Sequence, residues 1–180
     1  MKKLVVILLI LMVSPGVWAQ QESESSAPSK KEKRQLELEQ QFLQTQALLE
    51  SRDFVLEADF LQDRYGNRVF VSSIINFIAI DSTEAVIQIG SNHSFGPNGL
   101  GGVTAKGRIT NWELKTNEKR KSFRLTVNVM TNIGLYDVNF SISASGRATA
   151  LLTGLRRGNL SFEGNLIPLQ ESSVFEGNSI

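Results

Sequence analysis

Most of the chain after residue 53 alternates between apolar and polar positions with a period of two. The clearest stretches are 54–60, 123–129 and 136–142, where large apolar side chains alternate with polar or charged ones. A period of two indicates a β-strand with one face buried and the other in water. Turn residues separate these stretches from shorter ones of the same kind. The shorter stretches are 68–71, 85–89, 109–115, 148–153 and 160–166.

A helical pattern precedes the strands. Residues 34–52 are rich in Leu, Glu, Gln and Ala and contain no Gly or Pro, which predicts one helix of about four or five turns. Its apolar side chains cover about half of the helix circumference, as expected of a helix that docks against a domain or caps one end of it. Residues 20–33 are polar and are predicted to form a flexible linker, because they cannot bury enough apolar area to offset the entropy of ordering.

The predicted fold class is all-β. Eight to ten short strands joined by tight connections favour an antiparallel meander over residues 53–180, forming a small barrel or a sandwich. The segment 74–80 is apolar on both faces, so we expect a central strand or one that the helix covers. The large side chains assigned to the interior are Phe54, Leu56, Phe60, Trp112, Leu114, Phe123, Leu125, Phe140 and Phe162.

Residues 1–19 have the order of a secretory signal peptide. Lys2 and Lys3 precede an apolar run over 4–13, and the segment ends in Val17-Trp18-Ala19, which fits a small-x-small processing site if the valine is allowed. The run is too short for the roughly 20 residues of a membrane-spanning helix, so we expect cleavage near Ala19. Since the chain has no cysteine, no lipid anchor is expected there. The mature protein is therefore predicted to be periplasmic or secreted and not embedded in a membrane.

The net charge argues against a nucleic-acid partner, and the strand lengths argue against an outer-membrane barrel. Loss of Lys2 and Lys3 would change the formal net charge from +1 to −1, which gives no electrostatic reason to expect nucleic acid as a partner. An outer-membrane barrel would need strands of about 9 to 11 residues, and most of the predicted strands are shorter. Because the chain has no cysteine, we expect a domain whose stability comes from its core alone, without disulfides.

One connection, over residues 90–102, is much longer than the others and rich in glycine. Long loops on a β scaffold are where binding residues most often lie. The run 99–102 resembles a phosphate-binding glycine loop, but a strand pattern follows it where such loops require a helix, so nucleotide binding is not expected. The candidate ligand- or partner-binding residues are His93, Phe95, Asn98, Gly99, Gly101 and Gly102.

Catalytic chemistry has little support in the sequence. His93 is the only histidine and there is no cysteine, which argues against a serine triad, thiol catalysis and a zinc site. Glu57 and Asp59 would lie about 7 Å apart on one strand face, a spacing that a glycoside hydrolase acid pair could use. Two such acids on the wet face of a strand are usually only solvated. We therefore predict a protein that is not an enzyme and has no metal or cofactor.

Short segments spread along the β domain resemble one known family. They are Asn76–Ile80, Val86–Gly90, Phe95–Thr104, Lys106–Ile109, Ser145–Ala150, Phe162–Gly164 and Ser173–Gly177. Together they resemble the family called domain of unknown function 4251 (DUF4251), over roughly residues 49–177. The resemblance implies a β-rich fold and export to a bacterial cell envelope. It implies no catalytic or ligand-binding residues.

Three classes of function remain open, in order of preference. The first is a non-catalytic interaction or structural module with the glycine-rich loop and the N-terminal helix as contact surfaces. The second is a lipocalin-like carrier of a small apolar ligand, and the third is a carbohydrate-acting hydrolase. The expected partner is accordingly an envelope protein or a small apolar molecule. The first two classes differ in whether the inward side chains fill the barrel or line a cavity.

Overall fold

The computed structural model describes residues 29–91, 101–155 and 158–179. Within these ranges the chain forms one α-helix and nine strands, and every strand pairing is antiparallel. A short 3₁₀ helix, Leu169–Glu171, follows the last strand. The elements are α1 (Lys30–Ser51), β1 (Asp53–Asp63), β2 (Arg68–Phe70), β3 (Phe77–Asp81), β4 (Glu84–Ile89), β5 (Val103–Asn117), β6 (Ser122–Thr131), β7 (Gly134–Ser143), β8 (Arg147–Leu155) and β9 (Gly158–Pro168).

Strand β1 closes the sheet into a barrel. The strands β1 and β3 to β9 follow one another in chain order, and β9 returns to pair with β1, which gives eight strands around the barrel. Strand β2 is an additional short strand. It pairs with residues 60–62 of β1, beyond Glu57 where the pairing with β3 ends. The predicted all-β meander is confirmed, and it takes the form of a barrel.

The barrel interior is one continuous core of packed side chains. Phe54, Phe140 and Phe162 are fully buried, and the Phe54 ring meets the edge of the Phe140 ring at a centroid distance of 6.2 Å. Trp112 and Leu114 are half-buried and pack against this core. Side chains therefore fill the interior. Among the described residues, no buried side-chain nitrogen or oxygen lacks a hydrogen bond.

Phe60 was wrongly assigned to the interior. A β-bulge between Ala58 and Phe60 adds one residue to β1, and Leu61 becomes the core residue that follows Ala58. Phe60 instead packs against the exposed Phe70, with ring centroids 5.4 Å apart, and the Arg68 guanidinium lies 3.5 Å from its ring centroid. The extra residue changes which side chains face inward, and strict alternation does not reveal it.

Helix α1 covers one end of the barrel, where the β3–β4, β5–β6 and β7–β8 turns lie; we call this the helix end and the opposite one the open end. Phe42, Thr45 and Leu49 are the buried residues of the helix. Phe42 stacks on Phe123 at a centroid distance of 4.7 Å, and the Thr45 hydroxyl donates a hydrogen bond of 2.7 Å to the Ala144 carbonyl. These contacts seal the helix end.

The helix begins at Lys30, four residues before the predicted start at Arg34, so the last residues of the predicted linker are helical. Ser29 and Glu32 form a capping box: the Glu32 N–H donates to the Ser29 hydroxyl, and the Ser29 N–H donates to the Glu32 carboxylate. Hydrogen bonds from the Ser29 backbone and hydroxyl lower the pKa of Glu32. The rest of the predicted linker, residues 20–28, lies outside the described residues.

The C-terminal segment, residues 169–179, covers part of the outer surface. Val55, Phe77, Ala79 and Val86 form a second apolar cluster, against which Leu169 and Val174 pack. Strand β3 is thus central, between β1 and β4, and buried on both faces as expected, but it begins at Phe77, and Ile74 of the predicted segment 74–80 is half exposed. Its outer cover is the C-terminal segment and not the helix.

One buried side chain fastens this segment. The Gln88 amide is fully buried on β4, and its nitrogen donates to the carbonyls of Ile75 (3.2 Å) and Phe175 (2.8 Å). Its oxygen accepts from the Thr104 hydroxyl and the Gly177 N–H, each at 2.8 Å. All four hydrogen-bonding positions of the amide are used, so the segment is held in one place.

We expect Phe140→Ala to lower the free energy of unfolding by about 3–5 kcal/mol, because Phe140 is fully buried and its removal leaves a cavity. The matched variant Phe70→Ala removes the same group from an exposed position and should change stability by less than about 0.5 kcal/mol. Urea denaturation of both variants and the wild type gives the difference. Equal midpoints for Phe140→Ala and the wild type would contradict the packed interior.

Candidate functional site

A surface groove lies at the open end, between strand β2 with its partner residues 60–62 of β1 on one side and the end of β4 on the other. Its volume is about 760 Å³. Leu61, which also belongs to the core, lines it from inside the barrel. Val69, Phe70 and Ile74 also line it, and their exposed fractions are 55%, 77% and 50%. The groove is therefore bordered by large apolar side chains in water, with a core residue at its base.

Asn76 holds the two sides of the groove together. Only 1% of this residue is exposed. Its side-chain nitrogen donates to the Ser72 carbonyl at 3.0 Å, and its side-chain oxygen accepts from the Gly90 N–H at 2.9 Å. Its own carbonyl accepts from the Ala58 N–H at 3.0 Å. The β2–β3 connection, the end of β4 and strand β1 are thus fixed relative to one another.

The β1–β2 turn is fixed by Asp63. Its carboxylate accepts from the Tyr65 and Asn67 backbone N–H groups, at 2.8 and 2.9 Å, and from the Asn67 side-chain amide at 2.8 Å. The bond from the Asn67 side chain, supported by the backbone donors, lowers the pKa of Asp63. Tyr65 is consequently presented to solvent, with 74% of it exposed, on a rigid turn.

The predicted loop is described only at its ends. His93, Phe95, Asn98 and Gly99 lie outside the described residues. Gly101 has a φ of +74°, a backbone conformation that favours glycine. Gly102 packs so closely against β4 that a Cβ would overlap the Ile89 carbonyl oxygen. The structure therefore gives these two glycines structural roles.

The loop and the groove are neighbours, which sequence alone did not indicate. Gly90 and Ser91, where the chain enters the loop, both line the groove. Gly90 has no room for a side chain, since a Cβ would lie 2.9 Å from the Ile75 Cβ and carbonyl oxygen. The candidate site is accordingly the groove together with the entry to this loop.

A second exposed apolar surface lies on α1. No residue from Lys30 to Gln41 is buried, so the first three turns of the helix lack close tertiary packing. Leu36, Leu38 and Leu43 are 60%, 45% and 56% exposed. This part of the helix is an exposed apolar surface, and its role as a contact surface stays a prediction.

The two acids considered for glycoside hydrolysis have separate contacts. The Glu57 carboxylate accepts a hydrogen bond of 2.7 Å from the Ser172 hydroxyl, and Asp59 lies 3.8 Å from the Arg147 guanidinium. Asp59 also occupies the β-bulge, where the regular strand geometry behind the expected 7 Å spacing does not apply. Their surroundings favour structural roles.

Two further searches of the described residues were negative. No three His, Asp or Glu side chains there are grouped so that they could hold a metal ion. None of the described helices combines the length and the apolar character that crossing a membrane requires.

The DUF4251 family model, a domain of unknown function, matches residues 36–166. The chain belongs to the DUF4251 family. It is also similar to the crystal structure of a DUF4251 family protein from Bacteroides eggerthii DSM 20697, with a TM-score of 0.63 and 26% identity. That similarity covers 75% of this chain and 92% of the other. No curated protein matches the chain. The resemblance seen in the short sequence segments is thus confirmed as DUF4251 membership.

The sequence pattern did not identify the groove residues. Segment 68–71 was interpreted as a half-buried strand, whereas β2 is exposed along its whole length. The available signal was the adjacent pair Val69 and Phe70 in a strand of three residues, since one strand face cannot bury both. That signal indicates exposure only when the edge position of β2 is known.

We expect Asn76→Ala to destabilise the protein by about 1–3 kcal/mol, because it leaves the buried Gly90 N–H without its acceptor. Asn165→Ala, at an exposed position of β9, is the matched control and should have little effect. Hydrogen exchange at the Gly90 amide measures the loss locally, and thermal unfolding measures it globally. Unchanged Gly90 protection in Asn76→Ala would show that this bond does not fix the groove.

Proposed function

We propose that this protein is exported to the periplasm or the cell exterior and acts there as a non-catalytic interaction module. The observation that carries the proposal is the apolar border of the open-end groove. Val69, Phe70 and Ile74 are all at least half exposed around one concavity. Clustered exposed apolar side chains of this kind mark protein-interaction sites or ligand-binding grooves.

The site is organised before any partner binds. Asn76 fixes the groove wall, Asp63 fixes the neighbouring turn, and Phe60 supports the Phe70 ring from below. A rigid aromatic side chain loses little conformational entropy on binding, so it makes a good anchor. We infer that the partner is an envelope protein that inserts an apolar side chain into the groove.

The packed interior favours this function over a lipocalin-like carrier. Phe54, Phe140 and Phe162 occupy the space that an enclosed ligand would need. A carrier with a barrel of this size keeps that space open for its ligand. A small apolar molecule would have to bind in the surface groove, where it would compete with the protein partner.

Export predicts the N-terminus of the mature protein. The charged start, the apolar run and the small residues before Gln20 give the order of a cleavable signal. We expect protein recovered from the native cell to begin at or near Gln20 and to fractionate with periplasmic or secreted material. N-terminal sequencing of that fraction measures this. An intact Met1 on the recovered protein would contradict export by signal cleavage.

The groove predicts which variants lose the partner. In affinity capture from envelope extract with quantitative mass spectrometry, Phe70→Ala and Ile74→Ser should lose most of the partner captured by the wild type. Loss of an interface anchor costs about 2 kcal/mol or more. Met130→Ala is the matched control, because Met130 is 54% exposed on β6 and does not line the groove.

Two loop variants complete the experiment. His93→Ala and Phe95→Ala report whether the predicted loop contributes to the same contact. The Phe70→Ala and Ile74→Ser variants should keep the wild-type melting temperature to within the effect of about 0.5 kcal/mol expected of exposed positions. Identical capture by the wild type, Phe70→Ala and Ile74→Ser would refute the groove as the partner site.

A further inference from the structure

Strand β5 has a long unpaired edge at the helix end. It contains 15 residues, and β6 pairs with it as far as Asn117. On its other side β4 reaches only to Arg108, and the last contact is the Ile109 N–H to the Thr83 carbonyl at 2.7 Å. Along residues 110–117 no described strand lies on that side. We call this stretch the β5 edge.

The backbone groups that face outward can be assigned. The Thr110 hydroxyl donates to the Asn128 carbonyl, which therefore points toward β5. Asn111 is the pairing partner of Asn128, so its backbone groups point toward β6, as do those of residues 113, 115 and 117. Trp112, Leu114 and Thr116 then direct their N–H and C=O groups outward. No described group bonds to them there. Such a row of groups is a template for another strand.

We propose that the β5 edge pairs with the β5 edge of a second copy of this chain, antiparallel and with the two-fold axis at Leu114. This register places Trp112 opposite Thr116 of the second copy and Leu114 opposite its own equivalent. All of these residues direct backbone groups outward, so the ladder is complete along the edge. The apolar side chains of Trp112 and Leu114, now half-buried, become covered.

Charge selects this register over its neighbours. Glu113 and Lys115 lie on the same strand face, and their side chains are 2.8 Å apart within one copy. An axis at Leu114 places Glu113 opposite Lys115 of the second copy, twice per dimer. An axis at Glu113 or at Lys115 would instead place like charges opposite each other, which is destabilising. An axis at Trp112 would bring Thr116 against Arg108 of the second copy, where β4 already pairs.

A second complementary contact follows from the same register. The β5 edge of the second copy continues the line of β4, so its β5–β6 turn lies beside the β3–β4 turn of the first. The β5–β6 turn carries three basic residues and one acid, Glu118, and the exposed acids Asp81 and Glu84 flank the β3–β4 turn. A turn of net positive charge therefore lies beside an acidic one at both ends of the paired edges.

The dimer goes beyond the proposed function and does not depend on it. The β5 edge lies at the helix end, and the groove lies at the open end. Antiparallel pairing directs the two open ends in opposite directions, so both grooves stay accessible. A dimer of this kind would carry two partner sites on one particle, and bivalent binding raises the apparent affinity for clustered partners.

Charge reversal tests the proposal. Sedimentation velocity of the purified exported protein over a wide concentration range should show a monomer–dimer equilibrium. Glu113→Lys and Lys115→Glu should each raise the dimer Kd at least about tenfold, because two attractive pairs become repulsive. The double variant with both changes should regain dimerisation. A mixture of the two single variants should form a heterodimer, since each Lys then faces a Glu.

Two controls separate dimerisation from folding and from net charge. Lys31→Glu makes the same charge change as Lys115→Glu on an exposed turn of α1 and should leave the Kd unchanged. Melting temperatures should be similar for all variants, because Glu113 and Lys115 are more than half exposed and their pair adds little stability. The proposal fails if the wild type stays monomeric. It also fails if the single variants dimerise like the wild type, or if neither the double variant nor the mixture recovers dimerisation.

Discussion

Closure of the barrel by the β1–β9 pairing is the constraint on which the other features depend. The two strands approach so closely at Gly164 that a side chain there would overlap the Glu57 carbonyl oxygen, so only glycine fits. One residue along β1, the bulge between Ala58 and Phe60 bends the strand. Residues 53–57 can then pair with β3, while residues 60–62 pair with β2.

Unequal strand lengths around the closed barrel create both candidate surfaces. Strands β3 and β4 have 5 and 6 residues, whereas β5 and β6 have 15 and 10. At the open end the short strands leave room for the groove beside β2. At the helix end they leave β5 without a neighbour beyond Arg108. On the outer face, the same short strands are covered by the C-terminal segment, which Gln88 fixes with its complete set of hydrogen bonds.

The sequence predicted the fold class and most of the core, because period-two alternation directly reports which side chains face inward. It failed at Phe60, since a bulge adds one residue and leaves no mark in composition. The strand predicted over 109–115 is part of a longer one, since β5 runs from Val103 to Asn117, and its first residues lack regular alternation because Thr104 and Ala105 are both buried. The groove was not predictable from local pattern. The groove depends on where β3 begins relative to β1, at the Glu57–Phe77 pair, and this is a property of the strand pairing and not of either strand. Four of the six predicted site residues, including His93, lie outside the described residues.

The open-end groove and the exposed half of α1 are both apolar surfaces, and their rigidity distinguishes them. Residues Lys30 to Gln41 have no buried side chain to hold them; this half of the 22-residue helix is held by the Ser29–Glu32 capping box and by the ion pair between Glu39 and Lys121. Helix ends without packing open more easily than packed segments, so a partner that binds Leu36 or Leu38 must also order this half, which reduces the net binding free energy. The groove requires no such ordering, because Asn76 and Asp63 already hold its wall and its neighbouring turn. For equal apolar contact, the groove gives the stronger binding, and this is the physical reason to place the principal partner site there.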